Sequence, residues 1–134
     1  MNKTFKVNII SPGKEVITYE VESLKTLTGN GEIEFKANHT PIITNTVPTT
    51  TVLTTEQGKE KIFTSTGIIY IKDNVLKFCC DSSETVSEID KSRAEESKKR
   101  AEKRINQGKD TDLERAIRSL ARANARLGTI NNNN

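Results

Sequence analysis

Apolar and polar residues alternate through the first two-thirds of the chain. The apolar positions are Phe5, Val7, Ile9, then Ile17, Tyr19, Val21, then Ile33, Phe35, and later Ile69, Ile71 and Leu76, Phe78, Cys80. A period of two puts such residues on one face of an extended strand, half-buried against a core. Turn chemistry separates the runs at Ser11-Pro12-Gly13, Gly29-Asn30-Gly31, Gln57-Gly58 and Asp73-Asn74. Fifteen of the 17 threonines fall within residues 1–85, which fits the β preference of branched side chains. The pattern predicts eight to ten short strands forming an antiparallel β-sandwich, or flattened barrel, over residues 1–85. It places no helix before residue 86.

After Thr85 the texture changes. Ten of the 14 residues from Lys91 to Arg104 are charged, with no Gly or Pro among them. Ser87-Glu88-Ile89-Asp90 has the form of a capping box and predicts a helix starting there, stopped at Asn106-Gln107-Gly108. Ile89, Ala94, Ala101 and Ile105 are its apolar stripe. Thr111-Asp112-Leu113-Glu114 is a second capping candidate. Leu113, Ala116, Ile117, Leu120, Asn124 and Leu127 then share one helical face, with Gly128 as the predicted stop and an asparagine tail beyond. Residues 86–134 therefore read as an antiparallel two-helix hairpin, a second domain behind the sandwich. Its buried face is largely alanine, which predicts weak docking.

Composition sharpens this division. Apolar residues make up 33% of 134, and about 38% with the 7 glycines, below the usual ~45–50%. The core must be small, so part of the chain is expected to use a partner's surface. The net charge of +3 is uneven: residues 1–86 carry 9 lysines and arginines against 10 acids, and residues 87–134 carry 12 against 8. A basic hairpin invites an anionic partner. No apolar run is long enough to span a membrane, and Met1 to Ser11 lacks the apolar centre of a signal peptide, so a cytosolic chain is expected.

Catalytic signatures are missing. There is no phosphate-binding loop, and Gly29-Asn30-Gly31 lacks the third glycine of a dinucleotide loop. Cys79 and Cys80 are adjacent, so on a strand they face opposite ways and form no redox pair. The single histidine, His39, leaves no metal-ligand cluster. The arginines are more informative. Arg93, Arg100 and Arg104 share one face of the first helix, and Arg115, Arg118, Arg122 and Arg126 share one face of the second. Paired antiparallel, the helices would bring Arg93 and Arg100 near Arg122 and Arg126, a cluster able to chelate phosphates. The same spacing fits a solvated face laced with pairs such as Glu96 with Arg100, and spacing alone favours that plainer reading. Nucleic acid is a weak partner for this hairpin, because all six aromatic residues lie in the β part and leave no stacking platform.

Gly31-Glu32-Ile33-Glu34-Phe35, followed by Asn38-His39-Thr40-Pro41-Ile42-Ile43-Thr44, resembles the signature of the epsilon subunit family of bacterial F-type ATP synthases. Thr66-Gly67-Ile68-Ile69-Tyr70-Ile71 is similar to the family's penultimate strand. Ile89-Asp90-Lys91-Ser92-Arg93-Ala94 matches its Ile/Leu-Asp-x-x-Arg-Ala motif, and Ala116 through Leu127 resembles its second helix. One departure is Thr66-Gly67, where the family often has Gly-Gly.

The resemblance implies a non-catalytic subunit of a proton- or sodium-translocating complex, peripheral on the cytoplasmic face of the bacterial plasma membrane. Its sandwich would pack on the gamma subunit and the ring of c subunits, with Glu32 as the candidate c-ring contact. Its helices would either fold against the sandwich or extend into the alpha/beta catalytic head and block ATP hydrolysis. No cofactor is required. ATP is the implied regulatory ligand of the folded hairpin, at Glu84, Ile89, Asp90, Arg93, Arg100, Arg122 and Arg126. A stand-alone nucleotide-sensing module, or a basic helical nucleic-acid-binding protein, are the alternatives.

Overall fold

The alternating residues turn inward and form one core. Phe5, Val7, Ile9, Val21, Leu24, Phe35, Leu53, Ile62, Ile69, Ile71, Leu76 and Phe78 are each 1% exposed or less, with Cys80 beside them at 5%. Each such side chain contributes about 1.5–3 kcal/mol on burial. The strands that carry them are β1 (Phe5–Ile10), β2 (Ile17–Val21), β3 (Ser23–Thr28), β4 (Gly31–Lys36), β5 (Ile42–Thr46), β6 (Thr49–Thr55), β7 (Gly58–Thr64), β8 (Gly67–Lys72), β9 (Val75–Cys80) and β10 (Ser83–Thr85). A 3-10 turn, Val86–Glu88, leads to helices α1 (Lys91–Gln107) and α2 (Leu113–Asn131). This architecture, a β-sandwich followed by a helical hairpin, is that of a computed structural model that describes residues 3–108 and 112–131.

The strands run β10-β7-β6-β3-β5-β8-β9-β1-β2, with β4 attached to β3. The sheet curls until β2 meets β6, which closes it over the core. One pairing departs from the expected antiparallel pattern: β1 and β9 are parallel, with Val7 opposite Leu76 and Ile9 opposite Phe78. Closing the curl brings the first strand beside a distant one, and local alternation carries no signal of that. Gly67 is required by close approach. A Cβ there would lie 2.2 Å from the Cys79 carbonyl oxygen, so the second glycine of the Thr66-Gly67 pair is the one the fold needs. Cys79 is exposed and Cys80 buried, as the alternation predicts, and burial pushes the Cys80 thiol up to about 11. Inside the sandwich, the hydroxyls of Thr26, Thr51 and Thr64 form a chain of 2.7 Å hydrogen bonds, so these buried polar groups satisfy one another.

The hairpin differs from its sequence reading in three places. The capping box is formed by Thr85 and Glu88 around the 3-10 turn, and α1 begins at Lys91 with Asp90 as its cap, not at Ser87. Two polar residues compete as caps here, and tertiary contacts to Glu88 select the outcome. Gly128 does not stop α2, which continues to Asn131. The buried face of α2 is Ala116, Ala123 and Thr129, while Leu113 and Ile117 are 45% and 50% exposed. Small side chains let α2 lie close to Ala94 and Ala101 of α1, and that contact fixes the helix rotation against the larger residues. Gly108 closes α1 as predicted. Thr111, proposed as a cap, and the tail residues Asn132–Asn134 lie outside the described residues.

Candidate functional site: a pocket at the hinge

The site is built where sandwich and hairpin meet. The β10 strand pairs with β7 so that Glu84 lies opposite Phe63, and Phe63 lies opposite Thr50 of β6. This face is covered by α2, which packs on β6 and β7, while α1 packs on α2. The Arg126 guanidinium lies 4.4 Å from the Phe63 ring centroid, and its Nε donates to Glu84 Oε1 at 2.6 Å. One turn on, Thr129 shares a 2.7 Å hydrogen bond with Thr50. Thr129 also donates to the Ala125 carbonyl, so Thr50 is the donor in that pair.

The hinge is fixed from both sides. Glu88 accepts from the Thr85 N–H at 2.9 Å through Oε1 and from Lys14 Nζ at 3.0 Å through Oε2. The Thr85 bond first, and then Lys14, hold its carboxyl below the ordinary glutamate range. Asp90 Oδ1 accepts from the Arg93 N–H and caps α1. Between these groups lies a cavity of about 390 Å³, lined by Glu84, Glu88, Asp90, Arg93, Ala94, Ser97 and Arg126. That volume lies within the ~300–1,000 Å³ range of small-molecule sites.

Of the seven residues singled out for a nucleotide, the structure brings Glu84, Asp90, Arg93 and Arg126 to this cavity. Ile89 is half-buried in the hinge. Arg100 is not one of the wall residues, and it donates to Ser97 of its own helix, which is one. Arg122 likewise lies outside the walls and donates to Ser119 of its own helix at 3.2 Å. The Glu96–Arg100 pair is not among the described salt bridges, and the pair formed one turn apart is Glu114–Arg118 at 3.8 Å. Glu88, Phe63 and Lys14 were missed. Glu88 had a signal in Thr85-x-x-Glu88, but Lys14 is 74 residues from its partner and had none.

Glu32 stands elsewhere. It is exposed on β4 and borders a wider groove of about 740 Å³ beside α2, with Lys25 and Pro48. His39 sets its ring at a tilt of 58° against Phe35, with centroids 5.0 Å apart, and bonds through Nδ1 to the Thr40 carbonyl, a structural arrangement. Among the described residues, no group of three or more His, Cys, Asp or Glu is arranged to hold a metal ion.

The beta-sandwich domain of the ATP synthase delta/epsilon chain matches residues 4–86, and the long alpha-helix domain of the same chain matches residues 87–131. The chain belongs to the ATP synthase delta/epsilon family. Within that family it is 41% identical over 131 residues to an ATP synthase epsilon chain of Clostridium novyi, covering 97% of this chain and 100% of that one. It is 37% identical over 133 residues to the epsilon chain of Desulfitobacterium hafniense, covering 98% and 100%. Its fold matches a chain in the Euglena gracilis mitochondrial ATP synthase with a TM-score of 0.82 at 16% identity, over 93% of this chain and 80% of that one. The delta/epsilon fold thus persists where little sequence does.

Proposed function

We propose that the chain is the epsilon subunit of a bacterial ATP synthase, a non-catalytic part of the rotating central stalk that couples the c ring to the catalytic head. The near full-length epsilon relatives support the assignment. For gamma, the supporting feature is the outer face of β5 and β8. There Ile43, Ile68 and Tyr70 stand exposed on strands whose other face is the core, and Ile43 lies opposite Tyr70. An apolar strip of this kind suits a lasting protein partner. Glu32 is the proposed c-ring contact. The subunit sits peripherally on the cytoplasmic face, and no described helix is long and apolar enough to cross a membrane.

The hairpin is the regulatory part. Extended into the alpha/beta head, it blocks ATP hydrolysis, and folded, it forms the hinge pocket and takes ATP as a regulatory ligand. One observation carries this reading: the cavity draws its walls from three separate pieces. Glu84 and Asp90 come from the hinge strand and its exit, Arg93 from α1 and Arg126 from α2. Releasing the hairpin dismantles the cavity. A ligand specific for the folded form stabilises it by RT ln(1 + [L]/Kd), about 2.7 kcal/mol at a hundredfold excess over Kd.

Charge dictates how ATP would enter. Three carboxylates line the cavity with two arginines, and Arg126 is already paired with Glu84. Arg100 and Arg122 are each held to a serine by a single described hydrogen bond of 3.2–3.3 Å. They are the positive charges most readily turned toward a triphosphate. Titration calorimetry of the full chain with ATP is expected to give a binding heat that weakens about tenfold or more in Arg93→Ala, the loss of a charge-assisted contact. No heat from the wild type removes the ATP part of the reading. Adding the chain to its matching catalytic head is expected to suppress ATP hydrolysis, and deleting residues 87–134 to relieve that. Unchanged hydrolysis removes the inhibitory part.

A further inference from the structure

The β1–β2 loop contributes nothing to the pocket walls, yet it grips the hinge. Ser11-Pro12-Gly13-Lys14 has the chemistry of a type II turn: Pro12 presets its own φ, Gly13 sits at φ +75°, and the Lys14 N–H points back to the Ser11 carbonyl at 3.4 Å. The turn carries Lys14 to the start and end of the hinge at once. Its Nζ donates to the Ser83 carbonyl at 2.6 Å and to Glu88 Oε2 at 3.0 Å. Beside it, the buried hydroxyls of Ser11 and Ser83 share a 3.1 Å bond. The Lys14 side chain is 33% exposed, so its charge is partly shielded from water. Glu88 is then held on both oxygens, by Lys14 and by the Thr85 N–H. Glu84 lies inside the braced segment and Asp90 two residues after it.

We propose that Lys14 is a positioning residue: its ammonium braces the hinge at Ser83 and Glu88 and so holds Glu84 and Asp90 in register for the folded-hairpin pocket. The proposal rests on the reading that this pocket takes ATP. Lys14 does not line the pocket and acts through Glu88 and the strand backbone. A hinge ordered in advance leaves less to be ordered on binding, so the brace raises ligand affinity and favours the folded hairpin together.

Lys14→Met and Lys14→Arg in the full chain test it. The readouts are amide exchange across Ser83–Asp90, ATP titration and thermal unfolding. Lys14→Met is expected to speed hinge exchange and weaken ATP binding, each by about three- to tenfold, the range for losing a partly exposed charge-assisted contact. Lys14→Arg is expected to restore both, because a guanidinium can reach the same two acceptors. Glu88→Gln keeps the capping acceptor and removes the charge, so Lys14→Met should cost less in that background. Unchanged hinge exchange in Lys14→Met overturns the brace, and so does loss of protection spread evenly through the sandwich. A loosened hinge with unaltered ATP affinity overturns the positioning role. If the wild type takes up no ATP, the ligand assignment falls, and hinge exchange with its rescue by Lys14→Arg still decides the brace.

Discussion

The sandwich and the hairpin are held by different kinds of contact. Inside the sandwich, Phe5, Phe35, Phe78 and a set of large aliphatic residues are almost completely withdrawn from water. Between the helices, the buried residues are Ala94, Ala101, Ala116 and Ala123, and the link to the sandwich includes the buried Phe63 under Arg126, the Arg126–Glu84 pair and the Thr50–Thr129 bond. Large buried side chains cannot be exposed without a heavy loss of free energy. An alanine seam, one buried ring and a few polar contacts cost less to expose. One chain thus joins a platform with a large apolar core to an element held by smaller contacts, and the boundary between them is where the candidate ligand pocket lies.

The largest effects are expected in the sandwich. Phe78→Ala leaves a cavity among fully buried neighbours and is expected to cost about 3–5 kcal/mol, read as a large fall in the unfolding midpoint. Gly67→Ala forces a Cβ against the Cys79 carbonyl oxygen and is expected to cost about 1–3 kcal/mol in the same assay. At the seam, Arg126→Met removes the ion pair to Glu84 and the contact over Phe63, and is expected to weaken docking by about 1–2 kcal/mol. Amide exchange should then rise in α1 and α2 while the strands keep their protection. Loss of protection in the strands as well would mean that the two regions are one cooperative unit. The smallest effect is one of pH. Glu88 has a lowered folded-state pKa, so its contribution is complete above the ordinary glutamate range and is lost as pH falls through the lower folded value. A carbon-13 titration of its carboxyl should give a midpoint below that of exposed glutamates, and Lys14→Met should move it upward.

Much of the fold was legible because period-two alternation is a local signal. Phe5, Val7 and Ile9 point inward whatever they pair with. Which strand lies beside them is decided by closure of the whole sheet, and the parallel partner of β1 had no local mark. The helix face misled for a related reason. Leu113 and Ile117 have the spacing of a core stripe, but the packing is set by alanines that allow close approach, and the larger residues are left outside. At the site, Glu84, Asp90, Arg93 and Arg126 came from the family motif and helical spacing. The roles of Phe63 and Lys14 depend on strand register and on a turn far away in sequence.

The parallel pairing of β1 with β9 also bears on how the chain is made. Phe5–Ile10 waits for Val75–Cys80, which at ~5–20 residues per second is several seconds of synthesis. Until then the first strand has only β2 to pair with, and an isolated two-stranded ribbon is marginal in water. Closing the sheet is therefore a late step and the slow one, since it joins the most distant strands. The strands that receive α2 are complete well before its own residues are added. The newborn hairpin therefore docks on a finished surface rather than helping to build it.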